Sequence, residues 1–488
     1  MDIPENNTPS ITFPVKAKEL ILALLCIISG LLLCNSILYG GFHLAFAIFA
    51  SVNLLCAVCY LLSSGCRPTG YSAALLVLSL CILAGFARSD DGFVKFVLVC
   101  FLLVSENLGL CLLAGQNRRL PGGAASLLDV PYTLFVLGFG KLPMAFRGLG
   151  DALHRSGSVG KKSSAIVIGC AIALPLLAIM IPLLIKADAA FDALLQLLPE
   201  FNFGEVLVTL MLGTFPAFVL YVRAAALRYH PKAPMAESKV RKGISPLTVN
   251  TVLISVALVY SVYLLSQIAY FSGGFLGVLP EGYTLAEYAR RGFFEMAWLC
   301  AINLGIIILA VWLVAKQKKT PLSTRLLCLF IGMVTLFLVA AASGKMFLYI
   351  GSYGLTRLRV LTEVIMLWFA LTAAVIGLWL FVPKIPYMKV ILVVSLLIGS
   401  TVLWADVNTV VARYNVTAYK SGQLETVDVD YLTSLDNGAV PYIAQLTTDA
   451  DPEIAESAKE YLKYHLIDEE TDFREWNYVN HIAKQYLH

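Results

Sequence analysis

The chain has 488 residues, of which 59% are hydrophobic and only 14% are charged, and its mean hydropathy is +0.78. Soluble domains are about half apolar and about a quarter charged, so this composition excludes a protein that lies wholly in water. The formal net charge of +4 hides an asymmetry, because 15 of the 32 acidic residues but only 6 of the 36 basic residues lie from Asp406 onward. A basic body and an acidic tail indicate two physical environments.

Apolar runs with few or no charges recur along the chain and are long enough to cross a hydrocarbon layer of about 30 Å as helices. Backbone polar groups inside lipid need internal partners, so each run is predicted to be a helix. The eleven predicted spans are residues 20–38, 42–62, 71–87, 93–114, 164–185, 204–227, 248–271, 294–315, 326–344, 360–382 and 388–405. The apolar stretch 131–142 is too short to span, and we expect it in the interface or against the bundle. The predicted fold is an all-α integral membrane protein, a polytopic bundle with a small C-terminal helical tail.

This order of runs predicts five segments. They are an N-terminal cytoplasmic segment (1–19), a four-helix membrane segment (20–114), a basic cytoplasmic loop (115–163), a seven-helix membrane segment (164–405) and an acidic helical tail (406–488). The first run lacks a small-x-small cleavage pattern and is followed by a second run, so we expect an uncleaved first helix rather than a signal peptide.

The basic residues predict the orientation. A cytoplasmic N-terminus places 22 Lys and Arg residues on the cytoplasmic side and eight on the other side, outside the tail. Such a bias orients membrane proteins. With an odd number of spans, the tail is then predicted to lie outside the cytoplasm.

The tail is predicted to form two helices packed as a small antiparallel cap. Asp451 and Pro452 give the first helix an acidic N-cap and a proline at its first position. Its apolar face is formed by Ile454, Ala458, Tyr461, Leu462 and His465. The second helix is predicted over 472–487, and its apolar face is formed by Trp476, Val479, Ile482 and Tyr486.

Four stretches resemble a known family: 283–295 (YTLAEYARRGFFE), 349–359 (YIGSYGLTRLR), 412–416 (ARYNV) and 427–432 (VDVDYL). They are similar to a bacterial multi-pass membrane family catalogued as a domain of unknown function, number 4173, close to 4153. The resemblance is clearest over 248–446, while hydropathy alone carries it in the N-terminal third. It implies a bacterial inner or plasma membrane and adds no activity.

Five basic residues on the predicted outer side run against the charge bias: Arg290, Arg291, Lys345, Arg357 and Arg359. Their acidic and aromatic neighbours are Glu287, Glu295, Glu363, Tyr283, Tyr288, Tyr349 and Tyr353. One hypothesis is a pocket for a phosphate-bearing lipid or glycan carrier, because guanidinium groups match phosphate geometry. The alternative is that these charges pair with one another and with lipid headgroups, while the tyrosines form an interfacial belt.

Glu106 lies within the fourth predicted helix, where an ionised carboxylate costs about 2.5–3.5 kcal/mol on insertion scales. It is expected to face the bundle interior. Such residues are often functional, but a structural hydrogen bond to Asn53 or Asn303 explains Glu106 equally well.

The chain lacks the motifs of common catalytic and metal sites. No Walker A loop, HExxH, nucleophile elbow or dinucleotide-binding glycine pattern occurs, and the six histidines show no ligand spacing. The Cys56 and Cys59 pair lies inside an apolar run, where thiols behave as small hydrophobes. We therefore predict no cofactor, no metal and no nucleic-acid partner.

Three functional hypotheses follow. The first is a non-catalytic envelope scaffold or sensor, embedded in the bilayer and presenting its tail to a protein partner. The second is a transporter or lipid-handling protein that uses Glu106 and the outer arginines on an anionic or lipid-linked ligand. The third is a membrane transferase acting on a lipid-linked phosphate, with Glu287 or Glu363 as general base. The sequence favours the first.

Overall fold

The computed structural model describes residues 17–89, 91–118, 124–143, 203–229, 244–274, 293–314, 320–465 and 472–487, together with Met180. Every regular element in these ranges is helical, apart from one isolated bridge between Ile244 and Val314. The chain divides into two compact units. The first draws its residues from Met1–Pro121, Ala125–Met235 and Asp468–His481, and the second from Gly122–Ala124, Ala236–Ile467 and Ile482–His488.

Five long helices build the first unit: α1 (Ala17–Gly40), α2 (Leu44–Ser63), α3 (Gly70–Gly85), α4 (Gly92–Ala114) and α5 (Phe203–Tyr229). Helix α1 packs against α2 and α5, and α3 packs against α4. An irregular helical segment, Asp129–Pro131 continuing through Tyr132–Phe139, packs against α4 and α5. Of the two positions predicted for the apolar stretch 131–142, the structure therefore favours packing against the bundle.

The second unit begins with five membrane helices: α6 (Pro246–Gly274), α7 (Phe293–Leu313), α8 (Leu322–Tyr353), α9 (Arg357–Phe381) and α10 (Tyr387–Ala405). Short tail helices follow: α11 (Val407–Lys420), α12 (Val429–Thr433), α13 (Val440–Ile443) and α14 (Pro452–Tyr464). The last helix, α15 (Tyr478–Lys484), begins within the residues assigned to the first unit. Buried residues of α6, α7, α8 and α9 form one continuous apolar core.

The chain is a polytopic all-α membrane protein. Nine helices of the described ranges are long and apolar enough to cross a membrane, namely α1, α2 and α4 to α10. Helix α3 is also apolar but has only 16 residues. The predicted span 164–185 falls outside the described residues.

Helix α8 is longer than its apolar run. It continues past the predicted end at Gly344 to Tyr353, and its 32 residues give a length of about 48 Å. That exceeds the hydrocarbon thickness of about 30 Å, so part of α8 extends beyond the apolar layer. The helix ends at Gly354, whose φ of +72° is one that residues with a side chain rarely adopt.

The tail confirms one predicted helix and corrects the other. Asp451 caps α14 as expected, its Oδ1 accepting from the Glu453 amide at 3.0 Å. The second helix does not begin at Asp472, because Asp472 Oδ1 accepts from the Arg474 amide and forms a turn. Asn477 caps the helix that follows, accepting from the Asn480 amide at 2.8 Å. Residues 472–481, here called the strap, belong to the first unit.

Candidate functional site

Glu106 forms an ion pair inside the first unit. Arg223 of α5 donates through Nη2 to Glu106 Oε1 at 2.6 Å and through Nη1 to Asn107 Oδ1 at 3.0 Å. The Arg223 side chain is 7% exposed and that of Glu106 is 17% exposed. A nearly buried guanidinium thus offsets the carboxylate charge, which reduces the cost of placing either group in an apolar layer.

The pair lies closer to one end of its helices than to the other. Glu106 is about 12 Å from the end of α4 at Ala114, and Arg223 is about 9 Å from the end of α5 at Tyr229. Within the described residues, the buried Nε of Arg223 has no hydrogen-bond partner. The arrangement is a charge-neutral polar cluster in which the Nε–H group of Arg223 has no hydrogen-bond partner among the described residues.

Neither Asn53 nor Asn303, the two alternatives considered from the sequence, is the partner of Glu106. Asn303 belongs to the second unit, where it accepts from the Tyr260 hydroxyl at 2.6 Å and donates to Thr335 Oγ1 at 3.1 Å. Asn53 is buried in α2, and its Nδ2 has no partner among the described residues. Sequence spacing cannot reveal such pairings, because they depend on how the helices pack.

The predicted outer-face pocket is described only in part, since Arg290, Arg291 and Glu287 fall outside the described residues. Arg359 lies with its guanidinium carbon 4.1 Å from the centre of the Tyr349 ring. Its Nη1 donates to the main-chain carbonyls of Tyr353, at 3.1 Å, and Gly354. Arg359 therefore caps the end of α8.

The structure also describes Glu363, Lys345 and Glu295, three further members of that predicted pocket. Glu363 is half-buried, and its Oε1 has no hydrogen-bond partner among the described residues. Lys345 is half-buried, and Glu295 is exposed in the first turn of α7. Among the described residues, Glu295 makes no ion pair. The structure thus joins Arg359 to Tyr349 and Tyr353.

Three of the four stretches that carry the family resemblance bind one another in the second unit. Asn415 accepts from the Leu355 amide at 2.6 Å and donates to the Leu355 carbonyl at 2.8 Å. Tyr431 accepts from the Arg357 amide at 2.8 Å. A Cβ atom on Gly354 would lie 2.7 Å from Asn415 Oδ1, so glycine leaves room for this contact. The three stretches therefore interlock the tail with the turn between α8 and α9.

One buried acid was missed from the sequence. Glu19 lies just before the first apolar run and is only 3% exposed. Its Oε1 accepts from the hydroxyls of Tyr229, at 2.5 Å, and Tyr60, at 3.3 Å. The only feature of the sequence that could have indicated this buried acid is its position directly before a predicted membrane helix. The neighbouring Lys18 suggests instead that this position is exposed to solvent.

The strap forms a second cluster that the sequence did not predict. Arg474 donates through Nη1 to Asn35 Oδ1 at 3.0 Å and pairs with Glu205. The strap also makes two main-chain hydrogen bonds. The Leu44 amide donates to the Trp476 carbonyl at 3.2 Å, and the Tyr478 amide donates to the Ala87 carbonyl at 2.9 Å. The described residues contain no group of three His, Cys, Asp or Glu side chains able to hold a metal.

A family model described as Domain of unknown function (DUF4153) matches residues 72–446. This is the second of the two families named in the sequence resemblance, and the match begins well before residue 248, where the resemblance was clearest. No curated protein and no solved structure matches the chain. The model covers more than half of the sequence, and the chain belongs to the DUF4153 family.

Proposed function

We propose that the chain is a non-catalytic scaffold or sensor of a bacterial cell membrane, whose tail is fastened to the ends of its membrane helices. The observation that carries the proposal is the interlock of Asn415 and Tyr431 with the main chain of Leu355 and Arg357. The family-like side chains of Asn415 and Tyr431 here bind main-chain groups of Leu355 and Arg357. Such bonds support a structural role for the signature, since they fix the position of the tail.

The strap supports the proposed sidedness. Helix α1 begins at Ala17 and is about 36 Å long, and the strap contacts it near its other end, at Asn35. Together with the charge bias of 22 to 8, this supports a cytoplasmic N-terminus and a strap on the outer face. The tail surface is then available to a protein partner outside the cytoplasm.

Cysteine labelling tests this arrangement. In a chain whose eleven native cysteines are replaced, we expect Glu475→Cys to react with a membrane-impermeant maleimide in intact cells. Arg67→Cys, in the turn between α2 and α3, is expected to react only after permeabilisation. The reverse pattern would overturn the sidedness. Turnover of a lipid-linked phosphate by the purified protein would eliminate the non-catalytic function.

A second candidate, a transporter or lipid-handling protein, is favoured by the buried pair of Glu106 and Arg223. Charged groups inside the membrane often mark ion or substrate pathways. The test is flux of protons or of a fluorescent anionic lipid in proteoliposomes. If flux occurs and Glu106→Gln or Arg357→Ala abolishes it at equal protein abundance, this candidate replaces the scaffold. Flux equal to that of protein-free liposomes removes it.

A further inference from the structure

A small polar pocket in the first unit surrounds the side chain of Arg474. It is formed by Asn35, Tyr39, Gly40, Glu205 and Thr209 and is called here the Arg474 pocket. Asn35 Nδ2 donates to Glu205 Oε1 at 3.1 Å and to Thr209 Oγ1 at 2.9 Å. Neither bond involves the strap, so α1 and α5 hold the acceptors of the pocket in place themselves.

The acceptors suit a guanidinium group. Asn35 Oδ1 and the Glu205 carboxylate accept from Arg474, and the Tyr39 ring centre lies 5.4 Å from its guanidinium carbon. A carboxylate, an amide oxygen and an aromatic face together match the planar charge and donors of arginine. A lysine ammonium lacks the planar group that this arrangement recognises.

Gly40 admits the main chain of the strap. A Cβ atom on Gly40 would lie 2.5 Å from Arg474 Cβ and 2.7 Å from its carbonyl oxygen. Beyond the arginine, the hydrogen bonds to Leu44 and Ala87 join main chain to main chain, so they are open to a peptide of any sequence. Within the strap, Asp472 Oδ2 accepts from Arg474 Nε at 2.5 Å and orients the guanidinium.

We propose that the Arg474 pocket is a binding site for an arginine that a peptide presents in a turn, and that the strap is its tethered occupant. The acceptors are arranged by the first unit, the specificity resides in one guanidinium, and the remaining bonds are to the main chain. The same segment supplied as a separate peptide then exchanges with the strap. This inference concerns binding and does not depend on the proposed function.

Chemical rescue is the first test. In the cysteine-replaced full chain, Val479→Cys reports release of the strap, because Val479 is 7% exposed in the docked strap. Adding Arg474→Ala is expected to increase the labelling rate by roughly tenfold or more, the factor for losing a charged hydrogen bond. Millimolar methylguanidinium should restore protection, whereas methylammonium should not. Arg413→Ala, at an exposed arginine of the second unit, serves as the matched control.

Peptide exchange is the second test. A fluorescent peptide of residues 472–481 should bind saturably to the full chain carrying Arg474→Ala. Replacing its arginine by alanine, or combining the host with Glu205→Gln, should weaken binding roughly tenfold or more. Gly40→Ala places a methyl group where the main chain of the strap or of the peptide must lie. It should therefore abolish both peptide binding and the protection restored by methylguanidinium.

Three outcomes would overturn the proposal. Unchanged labelling in Arg474→Ala would mean that the arginine does not hold the strap. Increased labelling that neither methylguanidinium nor the peptide reverses would mean that the pocket does not persist without its tethered arginine. Equal binding of the peptide with and without its arginine would mean that the pocket is not specific. Unfolding is distinguished from release by the thermal midpoint of the rest of the protein, which should stay within a few degrees of the parent.

Discussion

Gly30 of α1 lies so close to Ala217 of α5 that a Cβ atom on Gly30 would be 2.7 Å from the Cβ and 2.8 Å from the Cα of Ala217. One turn along, a Cβ atom on Gly213 would be 3.0 Å from the Cβ of Cys34. Small residues let the two main chains approach closely, which is how membrane helices gain packing energy without a hydrophobic driving force. Close packing of small residues therefore holds α1 against α5 in the first unit.

We predict that Gly30→Ala destabilises the protein. The added methyl group meets backbone as well as a side chain, so the helices must separate, at a cost of about 1–3 kcal/mol. Gly305→Ala in α7 is the control, because its Cβ would meet nothing within 4 Å. Thermal unfolding in detergent should show a lower midpoint for Gly30→Ala only. Equal midpoints for the two variants would contradict the close packing.

Gly40→Ala should release the strap while leaving the membrane helices folded. Its Cβ has no space beside Arg474, whereas Gly92→Ala in the first turn of α4 meets nothing within 4 Å. Limited proteolysis should cut the Gly40→Ala chain within 472–481 several times faster than the parent or the Gly92→Ala chain. Identical digestion of all three chains would show that the strap tolerates the added methyl group.

Removing either partner of the Glu106 and Arg223 pair should destabilise the first unit strongly. A buried charge left without its partner costs about 3–5 kcal/mol, whereas replacing both charges by neutral groups is often close to neutral. We expect Glu106→Gln and Arg223→Gln each to lower the unfolding midpoint, and the double variant to recover most of the loss. The measurement is a double-mutant cycle in detergent. Additive losses would mean that the two side chains are not coupled.

Asn415→Asp should loosen the tail. The aspartate keeps the acceptor for the Leu355 amide but loses the donor to the Leu355 carbonyl, which costs about 1–3 kcal/mol. Hydrogen exchange of the α11 amides should become faster, with no change in α5. Arg413→Ala, at an exposed position in the same helix, is the control and should behave like the parent.

The stability of the tail should fall in mild acid through His465. Burial lowers the pKa of His465 below its ordinary value of about 6.5, and the neighbouring Asp436 carboxylate opposes part of that shift. The ring also hydrogen-bonds to Asn437 at 2.7 Å and stacks on Tyr461. The unfolded state then binds the proton more readily than the folded state. Stability is therefore complete above about pH 6.5 and decreases as the pH falls from there to the folded pKa.

Free energies of opening of α14, obtained from hydrogen exchange at several pH values and corrected for intrinsic rates, should show this slope. His465→Gln should remove it, because glutamine has no charge to gain. A slope that persists unchanged in the variant would assign the acid sensitivity to another group.

Local patterns in the sequence were enough to predict the membrane helices of the described residues. The apolar runs predicted the nine spans seen in the described residues, because a helix in lipid must satisfy its own backbone whatever surrounds it. The cap of α14 was equally local, since Asp451 accepts from an amide two residues away. Helix ends were less predictable. Helix α8 passes its apolar limit because nothing before Gly354 stops it.

Only the tertiary structure decided which polar groups meet. Glu106 pairs with a residue 117 positions away, and Arg474 binds Asn35 across 439 positions. Hydropathy records how well a residue tolerates lipid, not which face of a helix meets which neighbour. The amphipathic pattern of 472–487 predicted one long helix. In the structure, Asp472 accepts from a nearby amide in a turn, and Asn477 accepts from a nearby amide as a helix cap. Hydrophobic periodicity does not take such side-chain contacts into account. The sequence thus determined that the chain crosses the membrane, whereas long-range packing determined its ion pairs and the place of its strap.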